Sequence, residues 1–191
     1  MAAFDLAVNQ WVPSIRLDWV TLIAIGISYA FDTYSLFIAC LAFAGYLFYK
    51  KCRLQSLLLM GAMSAGAVFV EVFKLLSGSL RPVNGLITVL GYSFPSGHTV
   101  GCIVFCGLLA YFAWYRWKSP RCRAFLSVLV IAISLMVGFD RLYLNVHWFS
   151  DVLGGYLFGL FWLFFSIFLF KLLNIAKIHA KMRYMFQQKS K

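Results

Sequence analysis

The apolar runs of this sequence recur at a length that a lipid bilayer dictates. Thr33 to Tyr49, Ala124 to Phe139 and Val152 to Phe170 each pass without a charged side chain. At about 1.5 Å per residue each covers most of a hydrocarbon core about 30 Å thick. Trp19 to Phe31, Leu54 to Phe73 and Thr99 to Tyr115 bring the apolar runs to six. With 63% of its 191 residues hydrophobic and only 12% charged, the chain is too apolar for a soluble domain of this size. Strands of a membrane barrel would alternate apolar with polar residues, and these runs do not. The expected fold is therefore all-α: a polytopic membrane helix bundle of about six transmembrane helices. The first run is the shortest, so it is expected either to tilt up from an interfacial segment or to stop short of a full crossing. Residues 1–18 are that interfacial segment, 19–173 the six-helix core and 174–191 a basic tail.

Charge orients the bundle. Lys50, Lys51 and Arg53 follow the second run, and Arg116, Lys118, Arg121 and Arg123 follow the fourth. Lys171, Lys177, Lys181, Arg183, Lys189 and Lys191 follow the sixth. In a six-span chain these places share one side, which the positive-inside rule makes cytoplasmic, together with the C-terminus. The net charge of +11 is thus read as topology, with no nucleic-acid partner implied. Asp5 stands where a cleavable signal peptide would carry a basic residue, so the N-terminus is expected to be retained. The five cysteines form no CxxC pair, and neither a disulfide framework nor a metal site is expected.

Of the 17 basic residues, Lys74, Arg81 and Arg141 fall at the other face, where the orientation rule gives them no reason to be. They belong to two connections, KLLSGSLRPVNGLITVLGYSFPSGH and DRLYLNVHWFSD, which also hold Ser96, His98, Asp140, His147 and Asp151. Ionisable groups at membrane depth persist where they pair or do chemistry. Three cations with two histidines and a small hydroxyl suit a phosphate, with the arginines binding its oxygens in pairs and Lys74 acting as a point charge. Pro95 and Gly97 turn the chain into the fourth run. Ser96 and Gly97 stand at its first turn, where free N–H groups and the helix dipole favour an anion, and Gly97 allows close backbone approach.

His147 and Asp151 are four residues apart, so on one helical turn the carboxylate can hold the imidazole in a single tautomer. That arrangement makes His147 the nucleophile and leaves His98 to protonate the leaving oxygen. Phosphoryl transfer asks mainly for positioning and charge neutralisation, which three cations can supply without a metal or other cofactor.

In order along the chain these residues read K-x6-R-P (Lys74 to Pro82), PSGH (Pro95 to His98) and R-x5-H-x3-D (Arg141 to Asp151). This tripartite pattern resembles the type 2 phosphatidic acid phosphatase family of membrane lipid phosphatases, over roughly Phe73 to Gly155. The resemblance implies a six-helix core with the site at its outer end, metal-independent hydrolysis and a phosphohistidine intermediate. It implies His147 as nucleophile, Asp151 as its partner and His98 as general acid, with Lys74, Arg81, Ser96, Gly97 and Arg141 cradling phosphate. One position departs: the family carries serine before the last motif's arginine, and this chain has Asp140. A carboxylate there either pairs with Arg141 against phosphate or orients it.

The expected activity is hydrolysis of a lipid phosphomonoester or diphosphate at the extracytoplasmic face of the cell membrane. Val83 to Ser93 is short and mostly apolar, which suits an acyl or prenyl chain entering sideways from the membrane lipids. Undecaprenyl diphosphate, phosphatidylglycerol phosphate and phosphatidic acid fit this description. Two alternatives use the same residues: a phosphotransferase passing the phosphoryl group to another lipid, and a non-catalytic binder of anionic lipid.

Overall fold

The computed structural model describes residues 2–189, without the side chains of Tyr115 and of 174–189. Seven helices follow one another: α1 (Ala2–Trp11), α2 (Asp18–Ala30), α3 (Thr33–Tyr49), α4 (Arg53–Ser77), α5 (Gly97–Arg116), α6 (Pro120–Tyr143) and α7 (Phe149–Lys189). No strand occurs among the described residues. The basic tail expected beyond residue 173 lies outside the described side chains.

Local chemistry sets the ends of these helices. Asp32 caps α3 by accepting the Ser35 amide at 2.7 Å, which satisfies one of the donors a helix start leaves open. Gly78 closes α4 in the left-handed region, at φ +57°, a conformation that glycine adopts without steric cost. Pro120 opens α6 at the first turn, where its missing N–H is no loss.

α5 is the central helix, packed against α3, α4, α6 and α7. Val100, Val104, Leu108 and Phe112 of α5 form the bundle core with Cys40, Leu59 and Leu163. Outward-facing side chains such as Leu57, Val68, Ile131 and Phe164 stay exposed, as a bundle immersed in lipid requires. At Gly155, α7 crosses so close to the start of α5 that a Cβ would stand 3.0 Å from the Ser96 carbonyl.

Six crossings is not what the structure has. α4, α5, α6 and α7 are long and apolar enough to span, and α2 with α3 form a pair bent by 52°. Of that pair, α3 runs the length of the bundle: Leu36 packs on Gly101 near the start of α5, and Ala44 accepts from Ser56 near the start of α4. α2, with 13 residues, is only about 20 Å long. Its first turn bonds to the C-terminal end of α6, where the Leu17 amide and the Thr21 hydroxyl meet the Tyr143 hydroxyl at 3.0 and 3.1 Å. Its last turn brings the Ser28 backbone to the His98 ring. Both its ends are therefore at the same end of the bundle, and α2 lies across that end instead of passing through. Five helices, α3 to α7, run between the two ends, and α1 and α2 together form a collar over one of them.

Candidate active site

The site is built where the collar, the α4–α5 connection and the α6–α7 turn converge. α7 starts at Phe149, and Asp151 in its first turn reaches back to the Trp148 amide at 2.9 Å, the carboxylate half of a capping box. The same oxygen, Oδ2, lies 3.2 Å from Nδ1 of His147. The carboxylate is thus fixed by the helix start it caps, and the ring is fixed by the carboxylate. Ser93 adds a hydroxyl on Oδ1 at 3.4 Å.

On the far side of the ring, Nη1 of Arg81 stands 3.0 Å from Nε2 of His147. A guanidinium can only donate, so Nε2 accepts with its lone pair and Nδ1 carries the proton toward Asp151. Burial, reinforced by the charges of Arg81 and Arg141 and opposed by Asp151, pushes His147 down to about 4. The imidazole is therefore neutral at physiological pH, with its basic nitrogen turned toward a cation.

Arg81 is held by backbone carbonyls: Nε donates to Gly91 at 3.1 Å, Nη2 to Tyr92 at 3.0 Å and Nη1 to Val146 at 2.9 Å. Burial draws the guanidinium below its usual range, with Asp151 opposing. Arg141 is buried and gives both Nε and Nη2 to Oδ2 of Asp140. The carboxylate at position 140 is thus bonded to Arg141, as either reading of that position requires. Lys74 sits above Gly97, where a Cβ would come within 3.7 Å of its Nζ, and pairs with Glu71 at 2.6 Å.

His98 occupies the first turn of α5 with the Ser28 backbone on its ring, and Arg141, His147 and Lys74 act on it electrostatically. Its Nε2 is buried without a hydrogen-bond partner. Such an atom is costly in a finished structure and suits a group that gains its partner from a ligand.

Ser96 departs from expectation. Its amide donates to the Asp151 carbonyl at 3.0 Å, and its hydroxyl accepts from Thr99 at 3.0 Å. It ties α5 to α7 and does not turn its N–H toward the pocket. The amides that the helix start leaves open are those of Gly97 and its successors, since the first in-helix donor is Val100.

All eight sequence-derived residues meet in this region, together with four that the motifs did not announce. Glu71 lies three residues before Lys74 inside the third apolar run, and that spacing was its available signal. Ser93 precedes PSGH by one residue. Asp5 accepts from the Ser150 amide and hydroxyl at 2.8 and 2.9 Å, and Ser28 comes from α2; neither carries a local sequence signal.

Beside Lys74, an apolar cavity of about 320 Å³ opens between α3, α4 and α5. It leads from Glu71, Lys74 and Gly97 to Met60 and Cys40, about 20 Å along α4 at helical rise.

Comparison with known proteins accords with this geometry. The phosphatidylglycerophosphatase B of Bacillus subtilis (strain 168) is 28% identical, over 85% of this chain and 81% of its own. An undecaprenyl-diphosphatase of Sulfolobus acidocaldarius is 30% identical over 63% of this chain and 58% of its own. The crystal structure of a transmembrane PAP2 type phosphatidylglycerolphosphate phosphatase from Bacillus subtilis superposes with a TM-score of 0.80 at 27% identity, covering 86% of this chain and 83% of that one. The model of the PAP2 superfamily matches residues 55–174, which take in every motif residue described above, and the chain belongs to that superfamily.

Proposed function

We propose that this multi-pass membrane lipid phosphatase works through His147 as a covalent nucleophile on a phosphate at the head of the apolar groove. The carrying observation is the single imidazole bonded to Asp151 through Nδ1 and to a cation through Nε2. A phosphate arriving at Arg81 offers the guanidinium better acceptors than a ring nitrogen, and Nε2 is released facing phosphorus. Nε2 attacks, the bond from phosphorus to the lipid oxygen breaks, and His98 gives that oxygen a proton. Water, deprotonated by His98, then attacks the phosphohistidine and frees inorganic phosphate, restoring both histidines. Lys74, Arg81, Arg141 and the Gly97 amide neutralise the oxygens along the way.

The groove is the reason for choosing a lipid with a long hydrocarbon chain. Its lining is apolar, and its length suits an acyl or prenyl tail lying alongside α4 while the phosphate stays with the histidines. Undecaprenyl diphosphate, phosphatidylglycerol phosphate and phosphatidic acid all meet this requirement. The basic residues between α3 and α4 and between α5 and α6 lie at the opposite end of the bundle, which favours a site on the extracytoplasmic face of the cell membrane and a cytoplasmic end for α7.

Purified protein in detergent is expected to release inorganic phosphate from at least one of these three lipids with EDTA present. Orthovanadate is expected to inhibit, and His147→Ala to reduce release by at least about 10⁴-fold, the scale on which covalent nucleophiles act. A His147→Ala protein that retains activity rules out the nucleophile assignment.

A further inference from the structure

Every cation of the phosphate cradle already has an acceptor. Arg81 is spent on three carbonyls and a ring nitrogen, and Arg141 on Asp140. Lys74 is spent on Glu71, at 2.6 Å. The last pair differs from the other two in its position. Arg141 and Asp140 are both buried, whereas Lys74 is 16% exposed and Glu71 66% exposed, and both line the head of the apolar groove with Gly97. Glu71 also acts electrostatically on Arg81, so its charge is felt in the site itself.

With a lipid tail in the groove and its terminal phosphate at His147, whatever joins the two passes Lys74 and Glu71. In a phosphomonoester the joining atoms are carbon and neutral oxygen. In a diphosphate they are a second phosphate. Lys74, the member of the cradle that also lines the groove, is the cation placed to meet that second phosphate as well, and Glu71 occupies it.

We propose that Glu71 is a specificity-determining residue, which by pairing with Lys74 restrains the preference of the site for lipid diphosphates over lipid monophosphates. The inference rests on the function proposed above and deepens it. A lysine to glutamate pair three residues apart on a helix is ordinarily a weak surface contact. Here the pair has been carried to the one point of the groove where the two substrate classes differ in charge.

The test is Glu71→Gln in the full chain, in detergent, with a prenyl monophosphate and a prenyl diphosphate of the same chain length. The ratio of kcat/KM for diphosphate over monophosphate is expected to rise roughly three-fold or more at low salt, and to shrink as salt screens the pair. A purely structural role would lower both values together, and a ratio equal to wild type overturns the proposal. Thermal stabilisation by inorganic diphosphate against inorganic phosphate reads the same preference without turnover. Glu71→Gln is expected to shift it toward diphosphate, and an unshifted preference also overturns the proposal. A shifted binding preference in a protein that hydrolyses neither lipid would instead count against the phosphatase reading alone.

Discussion

Asp151 is the residue through which folding and chemistry share one side chain. Its Oδ2 accepts the Trp148 amide as a helix cap and meets His147 Nδ1, so the ring cannot turn without loosening the start of α7. Removing the carboxylate while keeping its shape, as in Asp151→Asn, is expected to lower kcat by about 10²-fold or more through loss of tautomer control, measured as phosphate release. Acid acts on the same ring. His147 is held down to about 4 from an ordinary 6.5, so its neutral form persists as pH falls past 6 and is lost only as pH passes through about 4. With His147 as the proposed nucleophile, the acid limb of kcat/KM is therefore expected near pH 4, and a limb near 6.5 would contradict the buried neutral ring. The relation of His147 to Asp151 was legible in the sequence from their spacing of four, although His147 precedes the helix and meets the carboxylate across the start of α7 at Phe149. The partner of the Ser96 amide was not, because the Asp151 carbonyl belongs to another helix and only the tertiary crossing at Gly155 brings it near.

At the scale of elements, the collar carries what periodicity could not foresee. The length of the first apolar run already set it apart, since 13 helical residues fall short of a bilayer. Where it would lie was decided by Tyr143, whose hydroxyl collects the Leu17 carbonyl and amide and the Thr21 hydroxyl. No local pattern announces such a partner. α1 then runs over the α6–α7 turn, with Phe4 packed edge-on against Phe149 at 4.8 Å and the Asn9 side chain bonded to that of Asn145. Asp5 supplies the first turn of α7 with the acceptor that a helix start needs. Asp5→Ala is expected to cost about 1 kcal/mol of stability, seen as a lowered Tm in detergent. Because the loosened turn is the one that holds His147 and Asp151, kcat is expected to fall several-fold with KM less affected. An unchanged kcat would make α1 a packing element only.

For the whole molecule, five passes in place of six change which side the beginning of the chain occupies. The basic-residue pattern, on which the proposed orientation of α3 to α7 rests, belongs to residues that sit directly at helix ends. It was silent on the collar, which holds Arg16 against Asp5 and Asp18. Residues 2–30 lie at the site end of the bundle, and exposed Cys122 lies in the first turn of α6 at the other end. In sealed vesicles of one orientation, a membrane-impermeant maleimide is expected to label Ala3→Cys from the same side on which phosphate is released, and Cys122 only from the opposite side. Labelling of both from one side would restore a sixth crossing.

The three-way junction at Asp151 also orders events during synthesis. Ser93 and Ser96 leave the ribosome well before the residue that ties them to α7, and until α7 arrives the Asp151 oxygens to which they donate do not exist. The nascent chain can insert four of its five passes while holding neither His147, the proposed nucleophile, nor the carboxylate bonded to it. On the proposed mechanism the catalytic centre therefore comes into being in one step, with the last helix, and a chain truncated before residue 147 is expected to be a membrane protein without phosphatase activity.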